Sequence, residues 1–291
     1  PPPPLQLCKT PQVTVLINRW AKQTRDKTML LGVDSLDATK GLMHKFLALE
    51  EMFEMEPSLA DRVHFVQVCF TGAQSRERKV LVVQLQKFVA RINSKLGTID
   101  EAGPVQYFLD INLHELSALY SIADVLVITP IRDGMNIVPF EYVVSRECRA
   151  LPATVVLSEF AGCARSIGGA VLVNPWNTTE LTKQMIEAIN MEENEREIRS
   201  DSFMYSRWRL LVFNLEGVLA RHCALPELVH VSVETVATLD ALSKERKNMV
   251  VVKSPRSRET LDRLLGHTNC VLAAEHGAFI RWGKHARWQA S

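Results

Sequence analysis

The sequence predicts an α/β fold built on a parallel sheet, followed by a second, partial α/β region. Between residues 28 and 191, short apolar segments rich in β-branched residues alternate with longer segments whose apolar residues recur at helical spacing. Strands that alternate with helices pair in parallel through crossover helices, which predicts a Rossmann-like sheet. The charged segment 192–208 is the predicted linker, and a new strand pattern begins at 209 and runs to 291.

The composition is that of a globular chain long enough for two domains. Of the 291 residues 47% are hydrophobic, and 34 basic residues stand against 33 acidic ones. This balance argues against nucleic acid or a membrane surface as a partner of the whole chain, and no apolar run approaches the roughly 20 residues of a membrane span. The six scattered cysteines form no CxxC pair. They favour a cytoplasmic setting and argue against zinc or a disulfide framework.

The predicted elements follow in order from the N-terminus. The segment 1–27 holds a proline-rich lead-in, Pro1 to Pro4, and a helix over 13–22. Because the chain begins at Pro1 rather than Met, we expect either a piece of a longer polypeptide or an incompletely defined gene. Strands are predicted at 28–33, 63–70, 105–109, 125–128, 154–157 and 170–173, with helices starting at 42 and 136 and spanning 74–95, 113–122 and 179–191. The helix over 74–95 is expected to place Val80, Val83, Leu85, Phe88 and Ile92 on or near one face.

The segment 129–142, TPIRDGMNIVPFEY, predicts a tight glycine turn between a buried strand and a helix that begins at Asn136. A helix N-terminus leaves backbone N–H groups free and carries partial positive charge, so a diphosphate can bind there. Gly134 allows close approach of the backbone because it has no Cβ. The carboxylates of Asp133 and Glu141 can accept hydrogen bonds from sugar hydroxyls. A turn in which Asp133 merely caps the helix remains an alternative.

The loop 34–41 has a similar place between a strand and a helix. The carboxyl ends of parallel strands share one edge of the sheet, so this loop and the glycine turn can face one crevice. Lys40 can set its ammonium group against a diphosphate, or it can be a solvated lysine at a helix start. Glu159 can cap the sheet edge or contact a ligand, whereas the basic run 76–79 is interpreted as a solvated face.

Four segments in a fixed order resemble the trehalose 6-phosphate synthase family of glucosyltransferases. They are LGVDSLDATKG at 31–41, RDGMN followed by EY at 132–142, VLSEFAG at 156–162 and VLVNPW at 171–176. An ordered set of this kind is far more specific than one glycine loop. The resemblance implies that residues 28–191 form the C-terminal, nucleotide-sugar-binding half of a GT-B fold.

The same resemblance implies transfer of glucose from UDP-glucose to glucose 6-phosphate with retention of configuration. It requires no metal or cofactor at this site. The implied catalytic residues are Asp133, which would hold the transferred glucose, and Lys40, on the phosphates. The implied donor-binding residues are Lys40, Gly134, Met135, Asn136, Ile137, Glu141 and Leu116, with Glu141 on the ribose and Leu116 at the uracil.

Two positions depart from the family pattern. Ser35 stands where the family has a second phosphate-binding arginine, and Leu109 with Asp110 replaces an arginine–serine pair. The first change removes one of two cations from the implied phosphate site, and the second alters the side that would face the acceptor.

The segment 210–219, LLVFNLEGVL, predicts a buried strand entering a glycine turn, and it resembles the first motif, DxDGTL, of haloacid-dehalogenase (HAD) phosphatases. That chemistry needs an aspartate nucleophile, Mg²⁺ and a second aspartate as acid/base. Asn214 occupies the nucleophile position, Glu216 the acid/base position, and Ser254 is available for phosphate. Because an amide cannot attack phosphorus, we expect a degenerate and truncated phosphatase without Mg²⁺. The basic tail 281–288 lacks the repeated pattern of a nucleic-acid site.

Two functional hypotheses follow. The first is a trehalose-synthesising glucosyltransferase whose donor half is present, with glucose 6-phosphate bound only when an N-terminal half is added. The second is a non-catalytic regulatory or scaffolding subunit of a trehalose synthase/phosphatase complex. Another GT-B transferase, using ADP-glucose or a different nucleotide sugar, remains open as a third.

Overall fold

The computed structural model describes residues 7–24, 27–72, 75–97, 103–204, 209–221, 229–245 and 247–290. It divides the chain into two compact units, Pro1–Tyr205 and Ser206–Ser291. The predicted lead-in Pro1 to Pro4, the predicted helix start at Gln74 and the end of the predicted linker, 205–208, lie outside the described residues. The predicted division into 28–191, 192–208 and 209–291 stays a prediction.

Unit one is a six-stranded parallel sheet in the order β3-β2-β1-β4-β5-β6. Its strands are β1 Thr28–Ser35, β2 Val63–Phe70, β3 Val105–Leu109, β4 Val125–Ile128, β5 Thr154–Ser158 and β6 Val171–Val173. The helices are α1 Pro11–Thr24, α2 Leu42–Met55, α3 Leu59–Arg62, α4 Arg76–Leu96, α5 Leu113–Ile122, α6 Val138–Glu147, α7 Thr178–Asn190 and α8 Glu193–Met204. The predicted Rossmann-like α/β class is confirmed, and so are the strands at 63–70, 105–109 and 125–128.

The strand order reverses between β1 and β4. From β1 the chain moves outward to β2 and β3, then returns to place β4 on the other side of β1. The helix after β1 therefore covers one face of the sheet and the helix after β4 the other, and in open α/β folds ligands bind at the carboxyl edge at such a switch point. This topology brings together the two loops that the sequence singles out.

Both faces of this sheet are covered, as parallel pairing requires. Leu30 of β1 and Val127 of β4 belong to one apolar cluster, while the next residue of β1, Leu31, belongs to the cluster on the opposite face. Successive side chains of a strand point to opposite faces, so a continuous apolar run fills both layers. The sheet is thus a rigid base for its carboxyl-edge loops.

Helices α4 and α6 differ from the prediction in their buried face and in their start. In α4 the buried residues are Leu85, Val89 and Ile92, whereas Val80 and Val83 are about half exposed, so the predicted apolar face is wrong at its N-terminal end. Helix α6 begins at Val138 and not at Asn136. The side chain of Asn136 accepts a hydrogen bond from the Val138 amide at 3.0 Å, a capping interaction that sequence periodicity does not reveal.

Helix α8 belongs to unit one and covers most of the predicted linker. Although its surface is highly charged, Arg196 donates hydrogen bonds to the backbone oxygens of Ala188, Ile189 and Met191 at 2.8–3.0 Å. The guanidinium group thereby satisfies carbonyls at the end of α7, which a helix terminus leaves open. The helix is docked through these polar contacts together with Phe203, which packs against the apolar cluster of the sheet.

A disulfide joins Cys8 and Cys148, which are 140 residues apart in sequence. Helix α1 packs against α5, and α5 against α6, so Cys8 before α1 meets Cys148 after α6. The prediction that the cysteines form no disulfide framework is wrong for this pair, because spacing along the chain does not report on pairs made by tertiary packing.

Unit two has a five-stranded sheet in the order β11-β10-β9-β8-β7. Its strands are β7 Arg209–Asn214, β8 Asn248–Lys253, β9 Val271–Ala274, β10 Phe279–Trp282 and β11 Gln289–Ala290, and its helices are α9 Val233–Lys244 and α10 Arg258–Leu265. Strands β7, β8 and β9 are parallel, whereas β10 and β11 are antiparallel to their neighbours. The prediction that β7 is buried is wrong for one face, since Leu210 is 63% exposed.

Candidate functional site

The candidate site of unit one is made by the loops that follow β1 and β4. In the first loop, a short 3-10 helix spans Ala38–Lys40 and is capped by Asp37, whose carboxylate accepts hydrogen bonds from the Thr39 amide at 2.8 Å and the Thr39 hydroxyl at 2.7 Å. The hydrogen bonds from Thr39, with a smaller contribution from Lys40, hold the pKa of Asp37 below its usual value. The loop therefore has a fixed shape before any ligand arrives.

The two loops are joined through their backbones. The Ile131 amide donates to the Thr39 oxygen at 2.8 Å and the Arg132 amide donates to the same oxygen at 3.3 Å. Gly41 has φ +66°, and a Cβ at this residue would lie 1.9 Å from the Thr129 oxygen. Only glycine fits both this conformation and this approach, so the segment that carries Lys40 is locked onto the central turn.

Lys40 reaches the central turn from its own loop. Its Nζ lies 2.7 Å from Oδ2 of Asp133, and the two side chains are 21% and 12% exposed. The same oxygen accepts a hydrogen bond from Nδ2 of Asn136 at 2.9 Å. The structure thus brings together three predicted site residues from two loops, with the ammonium group beside the turn.

The polar groups at the turn differ from those of an ordinary helix N-terminus. The first amide of α6, on Val138, is taken by Asn136, and Pro139 has no N–H. Among the described residues, no group accepts a hydrogen bond from the backbone amides of Gly134 and Met135. The free donors are therefore in the turn itself, directly after Asp133, and a Cβ on Gly134 would meet nothing within 4 Å.

A third loop, after β5, supports the turn from the other side. The Gly162 amide donates to the Asp133 oxygen at 3.1 Å, and a Cβ on Gly162 would lie 1.8 Å from the Gly134 oxygen. Glu159, in the same loop, is exposed, and its amide donates to the Val173 oxygen at 3.0 Å. This loop fixes the turn through backbone contacts.

The two glycines of this contact are expected to respond differently to a methyl group. Gly162→Ala should destabilise unit one by about 1–3 kcal/mol, because its Cβ overlaps a backbone oxygen that cannot move without breaking the turn. Gly134→Ala should leave unfolding nearly unchanged and weaken an anionic ligand, since its Cβ points into open space. Urea unfolding and nucleotide titration of both variants test this, and equal stability losses would contradict it.

Glu141 lies on the first turn of α6, the helix that follows the central turn. Tyr120, on α5, donates its hydroxyl hydrogen to Oε2 of Glu141 at 3.1 Å. Burial raises the pKa of Glu141, and the hydrogen bond from Tyr120 opposes that rise. Leu116 is buried one turn before Tyr120 on the same helix face, in the apolar cluster that also holds Tyr142.

The positions that depart from the family pattern lie at neighbouring strand ends. Ser35 is the last residue of β1 and pairs with Phe70 of β2. Asp110, after β3, has φ +50°, and its carboxylate accepts hydrogen bonds from the Thr71 amide and hydroxyl. These side chain contacts to Thr71 lower the pKa of Asp110. Asp110 thus fastens one loop to another.

Sequence reasoning missed Tyr120 and the capping role of Asn136. The only sequence signal for Tyr120 is its spacing of four from Leu116, which places both on one helix face. The signal for Asn136 is an Asn two residues before a Val-Pro pair, a common arrangement at a helix start.

Unit two has its own depression, of about 430 Å³, at the carboxyl ends of β7 and β8. Its lining includes Asn214, Glu216, Lys253, Ser254 and His276. The Ser254 hydroxyl lies 3.0 and 3.2 Å from the two carboxylate oxygens of Glu216, and Arg256 Nε donates to the same carboxylate at 2.6 Å. The structure therefore groups the three predicted residues and adds Arg256.

In the part of the chain that the structure describes, no group of three or more His, Cys, Asp or Glu side chains is arranged to hold a metal ion. No described helix has the length and apolarity needed to cross a membrane.

Known proteins with similar sequences include the probable alpha,alpha-trehalose-phosphate synthase [UDP-forming] 2 of Arabidopsis thaliana, 32% identical over 94% of this chain and 40% of that protein. The chain spans less than half the length of such relatives. Among solved structures, an alpha,alpha-trehalose-phosphate synthase (UDP-forming) from Burkholderia xenovorans in complex with glucose-6-phosphate has a TM-score of 0.65 and 30% identity, over 69% of this chain and 44% of that one. An E. coli structure bound with UDP-2-fluoro glucose has a TM-score of 0.64 and 28% identity over the same shares.

Two family models match the chain. The trehalose-phosphatase model matches residues 212–291. The model of glycosyltransferase family 20 matches residues 5–206, which is more than half of the chain. On that match, and on a parallel sheet whose switch-point loops carry the matching motifs, the chain belongs to glycosyltransferase family 20.

Proposed function

We propose that unit one binds UDP-glucose and serves as the donor half of a trehalose-phosphate synthase that transfers glucose to glucose 6-phosphate. The observation that carries this proposal is the ion pair of Lys40 with Asp133, which directly precedes the unbonded amides of Gly134 and Met135 at the switch point of the sheet. A cation and two backbone donors in one place suit a diphosphate. Relatives that are described as UDP-forming synthases support the same donor.

The chemistry asks mainly for positioning and for charge stabilisation. A leaving UDP gains negative charge as the bond to the glucose breaks, and preorganised donors at the diphosphate stabilise that charge. In this proposal Lys40 turns from Asp133 to the phosphates, and Asp133, still held by Asn136, accepts hydrogen bonds from the glucose hydroxyls. Glu141 binds the ribose hydroxyls and Leu116 lies at the uracil. The amides assigned to the diphosphate are those of Gly134 and Met135, and Asn136 and Ile137 take part by shaping the turn.

A titration of the whole chain with nucleotide sugars tests the donor. We expect UDP-glucose to bind measurably, and more tightly than ADP-glucose, because the similar synthases are described as UDP-forming. A preference for ADP-glucose would point instead to another transferase of this fold. Absence of binding to any of these sugars at millimolar concentration would contradict the proposal.

The acceptor sugar, the protein partners and the cellular location extend this proposal. Glucose 6-phosphate would bind only with a second half of the GT-B fold, as the sequence predicts. Association with other subunits of a trehalose complex and a cytoplasmic location stay predictions. A purely scaffolding role is not favoured by the family match.

For unit two we propose a degenerate phosphatase site. The residues present do not suit the Mg²⁺ of an HAD-like phosphatase, since Asn214 is neutral and the Glu216 carboxylate is already bonded by Ser254 and Arg256. Ser254 donates to Glu216 and is therefore not poised for a phosphate, which differs from its predicted role. The truncation inferred from the sequence stays a prediction.

We expect no release of phosphate from trehalose 6-phosphate by the chain, with or without Mg²⁺. Asn214→Asp is the matched variant: it should also stay inactive, because the ion pair of Glu216 with Arg256 occupies the acid/base group. A colorimetric phosphate assay measures both proteins. Magnesium-dependent turnover by the unaltered chain would overturn this proposal.

A further inference from the structure

The carboxylate of Glu141 is held by one hydrogen bond that crosses between two helices. Tyr120 on α5 is 1% exposed, and its hydroxyl donates to Oε2 of Glu141 on α6 at 3.1 Å. Among the described residues no side chain or amide donates to the other oxygen, Oε1. One oxygen is thus fixed and the other is left for a ligand.

The helix that carries Glu141 is fixed in place by the next residue. Tyr142 is buried, and its hydroxyl lies 2.9 Å from the Ala123 oxygen and 3.2 Å from the Asp124 oxygen, at the end of α5. These contacts tie α6 to the α5–β4 connection through the backbone. Because the helix is already anchored by Tyr142, the hydroxyl of Tyr120 is not needed to hold α6 and acts on the Glu141 side chain alone.

We propose that Tyr120 is a positioning residue that aims the Glu141 carboxylate at the hydroxyls of a ribonucleotide donor and so makes the site select ribose over deoxyribose. The inference rests on the proposed binding of a UDP-sugar to this site. A carboxylate held in one rotamer forms a hydrogen bond to a sugar hydroxyl without first losing side-chain freedom. Tyr120 and Leu116, four residues apart, also place the ribose and base contacts on one face of α5.

Few groups affect the pKa values of Glu141 and Tyr120. The pKa of Glu141 responds to burial and to the hydroxyl of Tyr120. The pKa of Tyr120 is raised by burial and by the carboxylates of Glu141 and Asp34. Burial raises the pKa of Glu141, whereas the Tyr120 hydroxyl lowers it. Loss of that hydroxyl therefore raises the pKa of Glu141. When the solution is acidified, the carboxylate is protonated at a higher pH in the variant, and binding that needs the carboxylate is lost at that higher pH.

The test compares UDP with 2′,3′-dideoxy-UDP on the full chain and on Tyr120→Phe. The two ligands share base and diphosphate, so the ratio of their dissociation constants isolates the ribose hydroxyls and cancels the titration of the phosphates. We expect a preference for UDP of about tenfold or more in the unaltered chain and of less than about threefold in Tyr120→Phe, the range of one charge-assisted hydrogen bond. The pH at which the preference disappears should be higher in the variant.

Tyr142→Phe is the matched control, since it removes a buried hydroxyl from the neighbouring residue. It should lower stability and leave the ribose preference unchanged, because the buried Val143 and the cap from Asn136 still hold α6 in place. If Tyr120→Phe fails to fold, Glu141→Gln serves as a second variant, because the side chain of Glu141 is partly exposed. It should likewise reduce the preference for UDP and remove the pH dependence of that preference. An unchanged preference in the altered protein, equal weakening of both ligands, or no preference in the unaltered chain overturns the inference. Absence of UDP binding to the unaltered chain would instead defeat the proposed function.

Discussion

Replacement of Lys45 by Met is expected to lower the free energy of unfolding of unit one by about 3–5 kcal/mol, the largest stability effect that we predict. Lys45 Nζ lies 2.6 Å from Oδ2 of Asp34, and both side chains are 0% exposed. Gln67 donates to the same carboxylate oxygen at 2.9 Å and accepts from Lys45 at 3.2 Å. Without Lys45 the Asp34 carboxylate stays buried with one amide as its partner, a state far from water and without a counter-ion. Urea unfolding followed by circular dichroism measures the change.

The double variant Asp34→Leu with Lys45→Met is the control for this prediction. It removes both charges, so it should recover most of the loss, because a buried ion pair replaced by apolar groups is often neutral. Gln67 keeps a partner in the Val68 oxygen at 2.9 Å. A loss of less than about 1 kcal/mol in the single variant, or no recovery in the double variant, would show that the pair is not electrostatically coupled in this way.

Lys40→Met is expected to weaken UDP binding by tenfold to a hundredfold, roughly the contribution of one charge-assisted contact to phosphate. The effect should be large because Ser35 supplies no second cation from the same loop. Stability should change by about 1 kcal/mol or less, since this ion pair is partly exposed and Asn136 still bonds Asp133. Calorimetric titration and urea unfolding of one protein sample measure both quantities.

Lys22→Met is the matched control for Lys40→Met. It removes the same charge from an exposed position on α1, so UDP affinity should stay within about twofold of the unaltered chain, as expected for a screened surface charge. Equal losses in both variants would assign the effect to the net charge of the unit and not to Lys40.

The sequence predicts the strands of unit one well because burial on both faces makes them continuous apolar runs. Val125–Ile128 and Val63–Phe70 are found at the predicted residues, and glycine turns mark where chain direction changes. Positions that depend on tertiary packing are harder to predict. Cys8 and Cys148 meet only through the packing of α1, α5 and α6, and Val80 is exposed although it fits the helical period.

For the candidate site, the sequence identifies the loops but not how their side chains pair. Lys40 and Asp133 are 93 residues apart, and their contact follows from the β1–β4 switch point that the strand order creates. The hydroxyl of Tyr120 and the cap of Asn136 arise from local geometry that apolar periodicity does not encode. The network of Asp34, Lys45 and Gln67 could not be predicted either. A lysine within the apolar face of a helix gives no sign in the sequence of the buried carboxylate with which it pairs.

The most direct test of the account is the ratio of the dissociation constants of the full chain for uridine and for UDP. The two ligands differ only in the diphosphate, which is the group assigned to Lys40 and to the amides of Gly134 and Met135. We predict that UDP binds at least about a hundredfold more tightly than uridine, as expected for several charge-assisted hydrogen bonds. Equal affinities, or no measurable binding of UDP, would contradict the assignment of this edge of the sheet as a diphosphate site.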